Sequence, residues 1–412
     1  MKPPSVARPI AFALLLVTLV LGRVLGAEPK LFEPVGDGAD LTEEQQHLLA
    51  NLRAAKETES VEVTRMNPAA LNAKTLNFNI APDKEHTGIS GKFVTTAPSA
   101  GTWVSDGNSP LKNSLLTVRG DNVTGTVQTE EGVYKIVPLG GGVHAVVKQD
   151  LSKLSPDEPP DAQPKERMPS TAPATTRRAK QPEDATLFLA PPATNQLDLL
   201  VVYTPAARKK TADIEGLVEH AVVEANIAFS NSNTHLVARL VGSKQTDYVE
   251  SGSFKIDLQR LQEVDDGFMD EVHKLRDSVK ADLVVLLIDN SSYGGTSAAI
   301  LADASSAFAV VDQGHAIGPS YSFTHEIGHL LGARHDLAND NKTTPFPFCH
   351  GFINNQKHWR TAMAYDGVPS SIRMLYWSDP SVSFEGDVMG TTADCNVAEV
   401  LRRTGATAAG FR

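Results

Sequence analysis

The sequence predicts a mixed α/β domain over residues 195–412, because buried strand patterns alternate there with helical ones. Two nearly continuous apolar segments, 197–204 and 281–289, are typical of strands covered on both faces. Between them, 211–229 and 254–279 carry helical periodicity, so we expect two helices beside a mixed sheet. The predicted fold class is therefore a mixed α/β (α+β) domain with helices beside a mixed sheet.

A small β-rich domain is predicted upstream, over residues 28–150. It begins with a helix for which Thr42 and Gln45 fit a capping box. Short alternating segments then follow, separated by Gly, Asn and Asp turn signals, and they indicate hairpins.

The two flanking regions suggest export and processing. Residues 1–27 have a basic start, a short apolar run and a small-residue end, which is the pattern of a secretory signal peptide. An uncleaved signal anchor is the alternative, but no later segment is long and apolar enough to span a bilayer. Residues 151–194 are rich in Pro, Ala, Thr and charge and predict a flexible linker. Within it, Arg177 and Arg178 are either a processing site or an ordinary charged pair.

Composition limits the partners. A net charge of −11 argues against nucleic acid or an anionic membrane as partner. An apolar content of 41% is enough for real hydrophobic cores.

A dense histidine motif occupies FTHEIGHLLGARHD, residues 323–336. His325 and His329 are four apart, so on a helix both can direct a ring nitrogen at one ion. Gly332 follows where a helix would need positive φ to stop, and the turn can return His335 as a third ligand. Three protein nitrogens leave zinc one open position, as in a catalytic site. The opposite face of this helix is apolar, through Phe323, Ile327, Leu330 and Leu331.

Glu326 follows the first histidine and can reach a water molecule in that open position. We expect it to act as the general base of a hydrolysis and to pass the proton to the leaving amine.

The motif HEIGHLLGARHD resembles the signature of the metzincin zinc endopeptidases, and Asp336 makes it most similar to their reprolysin branch. The segment TAMAYDG resembles the methionine turn of that family, with Met363 as the turn residue. The C-terminal sequence is similar to that of secreted bacterial peptidyl-Asp metalloendopeptidases. The resemblance implies a metzincin-like domain with a long zinc-binding helix, one catalytic zinc ion and protein or peptide substrates. The β-rich domain would then be the pro-domain of a zymogen.

Three more residues near the motif call for an interpretation. Tyr365 occupies the place of a tyrosine that some metzincins swing onto the metal, but Tyr365 and Met363 could equally serve packing alone. We expect Asp336 to accept local hydrogen bonds rather than to meet the substrate.

If the protein is exported, its cysteines lie in an oxidising compartment. Cys349 and Cys395 are the only two in the chain, so a disulfide is predicted, with a thiolate on zinc as the weaker alternative. No cysteine precedes them, which excludes latency through a thiol. A pro-domain carboxylate such as Asp121 is the substitute that we expect.

Two features are predicted to contact the substrate. The segment 307–312, before the zinc helix, is a candidate edge strand to which an extended peptide could add. Arg373 follows the methionine turn and could read an acidic residue just after the cut, or it could be solvated or paired with Asp366 or Asp379.

Two functions from other classes share these residues. A degenerate metzincin domain would bind protein or matrix without cutting, but Glu326 and the three histidines are intact. A zinc amidase acting on a substrate that is not a protein would use the same chemistry.

Overall fold

The structure is a computed structural model. It describes residues 29–35, 40–67, 70–71, 75–81, 84–97, 100–106, 114–168, 195–367 and 370–412. The predicted signal peptide and the pair Arg177 and Arg178 lie outside these residues.

The N-terminal domain is built on an antiparallel sheet of eight strands in the order β1-β2-β10-β9-β8-β7-β6-β5, with β3 and β4 paired separately. Its helix α1 (Glu43–Ala54) carries the predicted capping box of Thr42 and Gln45. The predicted hairpins are confirmed, since β7 to β10 pair in sequence. The strands are β1 (Phe32–Pro34), β2 (Thr58–Met66), β3 (Leu76–Ala81), β4 (Lys84–Ile89), β5 (Gly91–Ala97), β6 (Ala100–Ser105), β7 (Leu115–Arg119), β8 (Asn122–Thr129), β9 (Gly132–Gly140) and β10 (Val143–Gln149).

The C-terminal domain contains a mixed sheet of five strands in the order β13-β12-β14-β17-β15, flanked by helices. Only β15 runs antiparallel to its neighbour. The α/β class and both predicted buried strands are confirmed. The strands from β11 onward are β11 (Lys165–Glu166), β12 (Asn195–Tyr203), β13 (Leu236–Gln245), β14 (Leu283–Ile288), β15 (Gly295–Ser297), β16 (Ala299–Ile300) and β17 (Phe308–Asp312).

Short strands and one helix complete the C-terminal part after the histidine motif. They are β18 (Ile353–Asn354), β19 (Trp359–Arg360), β20 (Ile372–Arg373), β21 (Asp379–Phe384), β22 (Asp387–Met389) and α7 (Val397–Ala408). The earlier helices are α2 (Pro205–Arg208), α3 (Ile214–Asn231), α4 (Phe254–Gln262), α5 (Asp270–Val279) and α6 (Ser322–Leu330). Among the described residues, no helix is both long and apolar enough to cross a membrane.

Three predictions about elements are wrong. The helix predicted over 254–279 is two helices, because Asp265, Gly267 and Met269 between them have positive φ. The candidate edge strand 307–312 is an inner strand: β17 lies between β14 and β15, so β15 is the edge. The histidine helix α6 is short, with 9 residues.

The N-terminal sheet packs on helix α3 through polar contacts. Thr117 Oγ1 lies 2.9 Å from His220 Nδ1, and Thr126 donates to Glu224 over 3.3 Å. His220 and Glu224 are fully buried there, so the sheet supplies partners for polar groups of the C-terminal domain. This contact holds the two domains together.

Residues 151–168 lie against the C-terminal domain, although the sequence pattern predicted a flexible linker from residue 151. Their strand β11 pairs in parallel with β16. The amide of Gly294 donates to Pro156 O over 2.9 Å, and the amide of Gly295 donates to Asp157 O over 2.8 Å. Backbone hydrogen bonds therefore fix the segment along the edge of the sheet, next to α6.

Helix α6 packs directly on the segment around Met363. A Cβ at Gly328 would lie 2.5 Å from Met363 Sδ and 2.7 Å from a ring carbon of Trp377. Both side chains are fully buried, so the lack of a side chain at Gly328 sets how closely α6 approaches this floor.

We predict that Gly328→Ala lowers the free energy of unfolding by about 1–3 kcal/mol, because the added methyl group overpacks a filled core. Denaturant unfolding of the full chain measures it. Gly410→Ala is the control, since its Cβ would meet the nearest atom at 3.6 Å, and its effect should stay within about 0.5 kcal/mol. Equal effects of the two variants would contradict the close packing of α6 on Met363.

Candidate metal centre and catalytic residues

Three histidine side chains, two on helix α6 and one after the turn that ends it, converge in the core. His325 and His329 lie one turn apart on α6, and the chain reverses at Gly332, which has a φ of 105°. The reversal brings His335 Nε2 to 3.0 Å from His329 Nε2, which itself lies 3.1 Å from His325 Nε2. Two nitrogens that bind one tetrahedral zinc at about 2.0 Å are separated by roughly 3.3 Å, so the spacing fits one ion.

Backbone carbonyls fix the orientation of two of these rings. His325 Nδ1 donates to Ala362 O and His329 Nδ1 donates to Ala333 O, both over 2.9 Å. A carbonyl oxygen only accepts, so each Nδ1 carries the proton and each Nε2 presents a lone pair to the other. Lone pairs at this distance repel unless a cation lies between them, and imidazole nitrogens suit zinc.

Burial holds two of the histidines, His325 and His335, in the neutral form. Burial lowers the pKa of His325 to about 3 and the pKa of His335 well below its usual value. Neutral imidazole is the form that binds a metal ion, so both rings are available as ligands at neutral pH.

Glu158 is the fourth group at this point. Its carboxylate lies 2.9 Å from His329 Nε2 and 3.6 Å from His335 Nε2. One ligand atom from each of Glu158, His325, His329 and His335 lies within 4.8 Å of all the others, and all four side chains are buried. The sequence did not point to Glu158, since a carboxylate 167 positions before His325 has no characteristic spacing.

The expectation that Asp121 of the N-terminal domain lies at the metal position is wrong. Asp121 is exposed in the turn between β7 and β8 and is not among the residues grouped at the histidines. Turn chemistry explains its position, because Asp favours such tight connections between strands.

Glu326 lies within α6 next to the edge strand. A Cβ at Gly295 would be 2.9 Å from Glu326 Cγ, so only glycine leaves room for this carboxylate. Neither carboxylate oxygen has a hydrogen bond within the described part of the chain. Burial and then the nearby Glu158 raise the pKa of Glu326 well above its usual value, and a cation at the histidines would oppose both effects. A buried carboxylate without partners is suited to take a proton from a water molecule.

Residues that follow the histidine motif hold His335 in place through hydrogen bonds. Asp336 accepts hydrogen bonds from the backbone amides of Tyr365, over 3.0 Å, and Ala338, over 3.2 Å. It therefore ties the turn containing Met363 to the chain around His335. His350 Nδ1 donates to His335 O over 2.8 Å, a support that sequence spacing did not indicate.

Tyr365 faces the same group of residues. Its ring centroid is 4.0 Å from that of His335, and its hydroxyl lies 3.5 Å from Glu158 Oε2. Burial and the Glu158 carboxylate raise the pKa of Tyr365, which keeps the hydroxyl protonated as a donor.

Arg373 is buried, and its ion pair is not one that the sequence suggested. Its guanidinium binds Asp157 through two contacts of 2.7 Å and 2.5 Å. Asp366 pairs instead with Arg360 over 2.7 Å, and Asp379 pairs with Arg402 over 3.2 Å.

A second arginine stands beside it. Arg360 is the register partner of Arg373 in the pairing of β19 with β20. Burial and then the charge of Arg373 lower the pKa of Arg360 to about 10. Two buried guanidiniums therefore lie side by side, and the sequence pattern indicated only that of Arg373.

The predicted disulfide is not formed in this structure. Cys349 and Cys395 are both buried free thiols, but they face each other across an antiparallel bridge. Burial raises the pKa of each thiol to about 11, so both stay protonated at neutral pH. Neither belongs to the group at the histidines.

Comparison with known proteins places this site in a family. Residues 193–378 match the description "Metallo-peptidase family M12". The "Peptidyl-Asp metalloendopeptidase" of Stenotrophomonas maltophilia is 34% identical over 96% of this chain and 97% of its own length. The protein of the same name from Xanthomonas campestris pv. campestris is 37% identical over 78% of this chain and 75% of its own length. That of Pseudomonas fragi is 33% identical over 46% of this chain and all of its own length.

We predict that Cys349 and Cys395 become joined when the protein is in an oxidising compartment, because their backbones already pair across the bridge. The bond would stabilise the fold by about 2–4 kcal/mol. Mass spectrometry of peptides from the oxidised protein should detect the linked pair. Two free thiols after oxidation would contradict the prediction.

Proposed function

Since the chain belongs to metallopeptidase family M12, among the peptidyl-Asp metalloendopeptidases, and is therefore a metalloendopeptidase, we propose that it is an exported zinc enzyme made as a zymogen. His325, His329 and His335 would hold the zinc ion, and Glu326 would be the general base. The observation that carries this proposal is the convergence of three imidazole Nε2 atoms next to a buried carboxylate without partners.

The chemistry follows from the positions of these groups. A bound zinc ion supplies Lewis acidity, which acidifies water and polarises a peptide carbonyl. Glu326 accepts the proton of the attacking water and delivers it to the leaving amine. Tyr365, with its hydroxyl directed into the same space, donates a hydrogen bond to the developing oxyanion.

Export and latency have separate support. The leader-like residues 1–27 favour export to a compartment outside the cytoplasm. The N-terminal domain is the proposed pro-domain, because it packs on α3 and continues into the segment that lies over the histidines. A cut between residues 169 and 194 would separate it from the peptidase domain.

We propose that the preferred substrates carry an acidic residue just after the cut, and the word Asp in the name of the relatives supports an acidic preference. Arg373 is the residue that would read it. Its guanidinium is fixed by Ser320 O over 2.5 Å and Ala364 O over 3.0 Å, so its remaining edge can pair with a carboxylate in two places.

Glu326→Gln should retain close to one zinc per chain and lose peptidase activity by several orders of magnitude, because the base is removed and the ligands remain. Metal analysis and peptide hydrolysis by the processed enzyme measure the two effects. His329→Ala is the comparison variant and should lose zinc as well. Substantial turnover by Glu326→Gln would remove this residue from the mechanism.

The processed enzyme should cleave peptides with Asp after the scissile bond roughly ten- to hundredfold more efficiently than matched Asn or Leu peptides. Arg373→Lys keeps the charge but loses the two-point geometry, so it should reduce this ratio. The ratio of kcat/KM values for the matched peptides is the measurement. An unchanged ratio in the variant would show that Arg373 does not read the substrate.

A further inference from the structure

We propose that Asp157 and Glu158 form an internal inhibitor that occupies two parts of the site at once. Asp157 fills the acid-reading pocket of Arg373, and Glu158 covers the metal position at the three histidines. This inference rests on the proposed function, because it assigns those two places to a peptidase site.

The pocket of Arg373 lacks an acid of its own. The guanidinium is almost fully buried, with 3% of the residue exposed. Within the described residues, Asp157 is the one carboxylate at ion-pair distance, and the two nearest candidates by sequence pair with other arginines. A buried cation without a partner is costly, so this pocket is built for a carboxylate that arrives from elsewhere.

Asp157 has the chemistry that such a pocket selects. Both carboxylate oxygens contact the two terminal nitrogens of Arg373. Burial favours the neutral acid, but the Arg373 guanidinium outweighs it and holds the pKa of Asp157 below its usual range. The geometry is the two-point pairing expected for the acidic side chain of a substrate.

The backbone around Asp157 is bound as a peptide would be, along the sheet edge β15. Pro156 O and Asp157 O accept hydrogen bonds from Gly294 and Gly295. Farther on, Lys165 N donates to Ala298 O over 3.2 Å and Arg167 N donates to Ile300 O over 3.2 Å. The segment therefore runs parallel to β15 and then pairs with β16, and Glu158, which lies between these two sets of hydrogen bonds, reaches the histidines.

The direction of the chain explains why the segment blocks the site without being a good substrate. In a peptide cut before Asp, the carbonyl at the metal belongs to the residue that precedes Asp. Here the group at the histidines is the side chain of Glu158, which follows Asp157, and Pro156 O is already bound by an amide of the edge strand. A carboxylate, rather than a scissile carbonyl, therefore lies at the metal position.

Glu158 completes the block. Its side chain is fully buried, and its two oxygens point at His329 and His335. A carboxylate at this place excludes the water that Glu326 would activate.

The inhibitor is intramolecular only while the linker is intact. Near the end of the segment, Glu166 pairs with Arg334 over 3.1 Å. A cut after residue 168 turns this contact into one between separate chains, so the effective concentration of the inhibitor falls and the segment can dissociate.

Binding to the full, uncleaved chain tests the proposal independently of turnover. All chains for this arm carry Glu326→Gln, and the probes are a fluorescent peptide with a central Asp and its Asn twin, followed by anisotropy. Asp157→Ala and Glu158→Ala should each raise the affinity for the Asp peptide about tenfold or more. The opened site should bind the Asp peptide roughly ten- to hundredfold more tightly than the Asn peptide. Adding Arg373→Met should abolish that preference.

Asp161→Ala is the matched control, since Asp161 is an exposed carboxylate in the same segment, and it should leave both affinities unchanged. With Glu326 intact, uncleaved Asp157→Ala and Glu158→Ala chains should hydrolyse the Asp peptide at least about tenfold faster than the uncleaved wild type. Mass spectrometry verifies that the chains are intact. If an alanine variant fails to fold by circular dichroism, Asp157→Asn and Glu158→Gln replace it.

The outcomes separate the two proposals. If the processed wild type cleaves peptides while both segment variants bind the probes as weakly as their parent, the internal inhibitor is wrong and the peptidase stands. If the variants gain affinity as expected but the processed wild type cleaves no peptide, the occupied pocket stands and the proposed function fails.

Discussion

Three imidazole lone pairs directed at one buried point are the constraint on which this structure depends. Carbonyls of Ala362 and Ala333 orient two of the rings, and the reversal at Gly332 supplies the third. Such an arrangement is repulsive in the absence of a cation and strongly attractive toward one. The packing of α6 on Met363 and the hydrogen bonds of Asp336 are the means by which the fold holds the rings together.

A second constraint is the balance of buried charge around that point. The pocket contributes the guanidiniums of Arg360 and Arg373, and the N-terminal segment contributes the carboxylates of Asp157 and Glu158. Asp157 pairs with Arg373 at contact distance, so the segment satisfies a guanidinium that would be costly to bury alone. On our proposal, latency and substrate preference use the same electrostatics, because an acidic substrate replaces the same carboxylate at Arg373.

The sequence was informative where a local pattern determines the structure. The buried strands β12 and β14, the hairpins from β7 to β10 and the capping box at Thr42 are confirmed, since periodicity, turn residues and caps act over a few positions. The histidine spacing likewise predicted that His325, His329 and His335 lie together, and they do so in the structure. In contrast, the break between α4 and α5 depends on backbone conformations that apolar periodicity does not encode.

The parts of the site that the sequence missed depend on contacts between distant segments. Asp157 and Glu158 lie in a Pro-rich stretch whose composition is typical of a linker, and only pairing along β15 shows where they lie. The sequence did not indicate that Arg360 lies beside Arg373, because the two residues are neighbours in the sheet and not in the chain. The identity of the edge strand required the strand order, which single-strand hydrophobicity does not give.

Zinc X-ray absorption spectroscopy of the uncleaved protein shows whether the three histidines and Glu158 meet at one metal ion, because it counts the ligands by type and distance. The account predicts one zinc ion with three imidazole nitrogens at about 2.0–2.1 Å and a carboxylate oxygen at about 2.0–2.2 Å. Glu158→Ala should replace the carboxylate signal and retain the three imidazoles. A spectrum with sulfur at about 2.3 Å, with fewer than three imidazoles, or without bound zinc would contradict it.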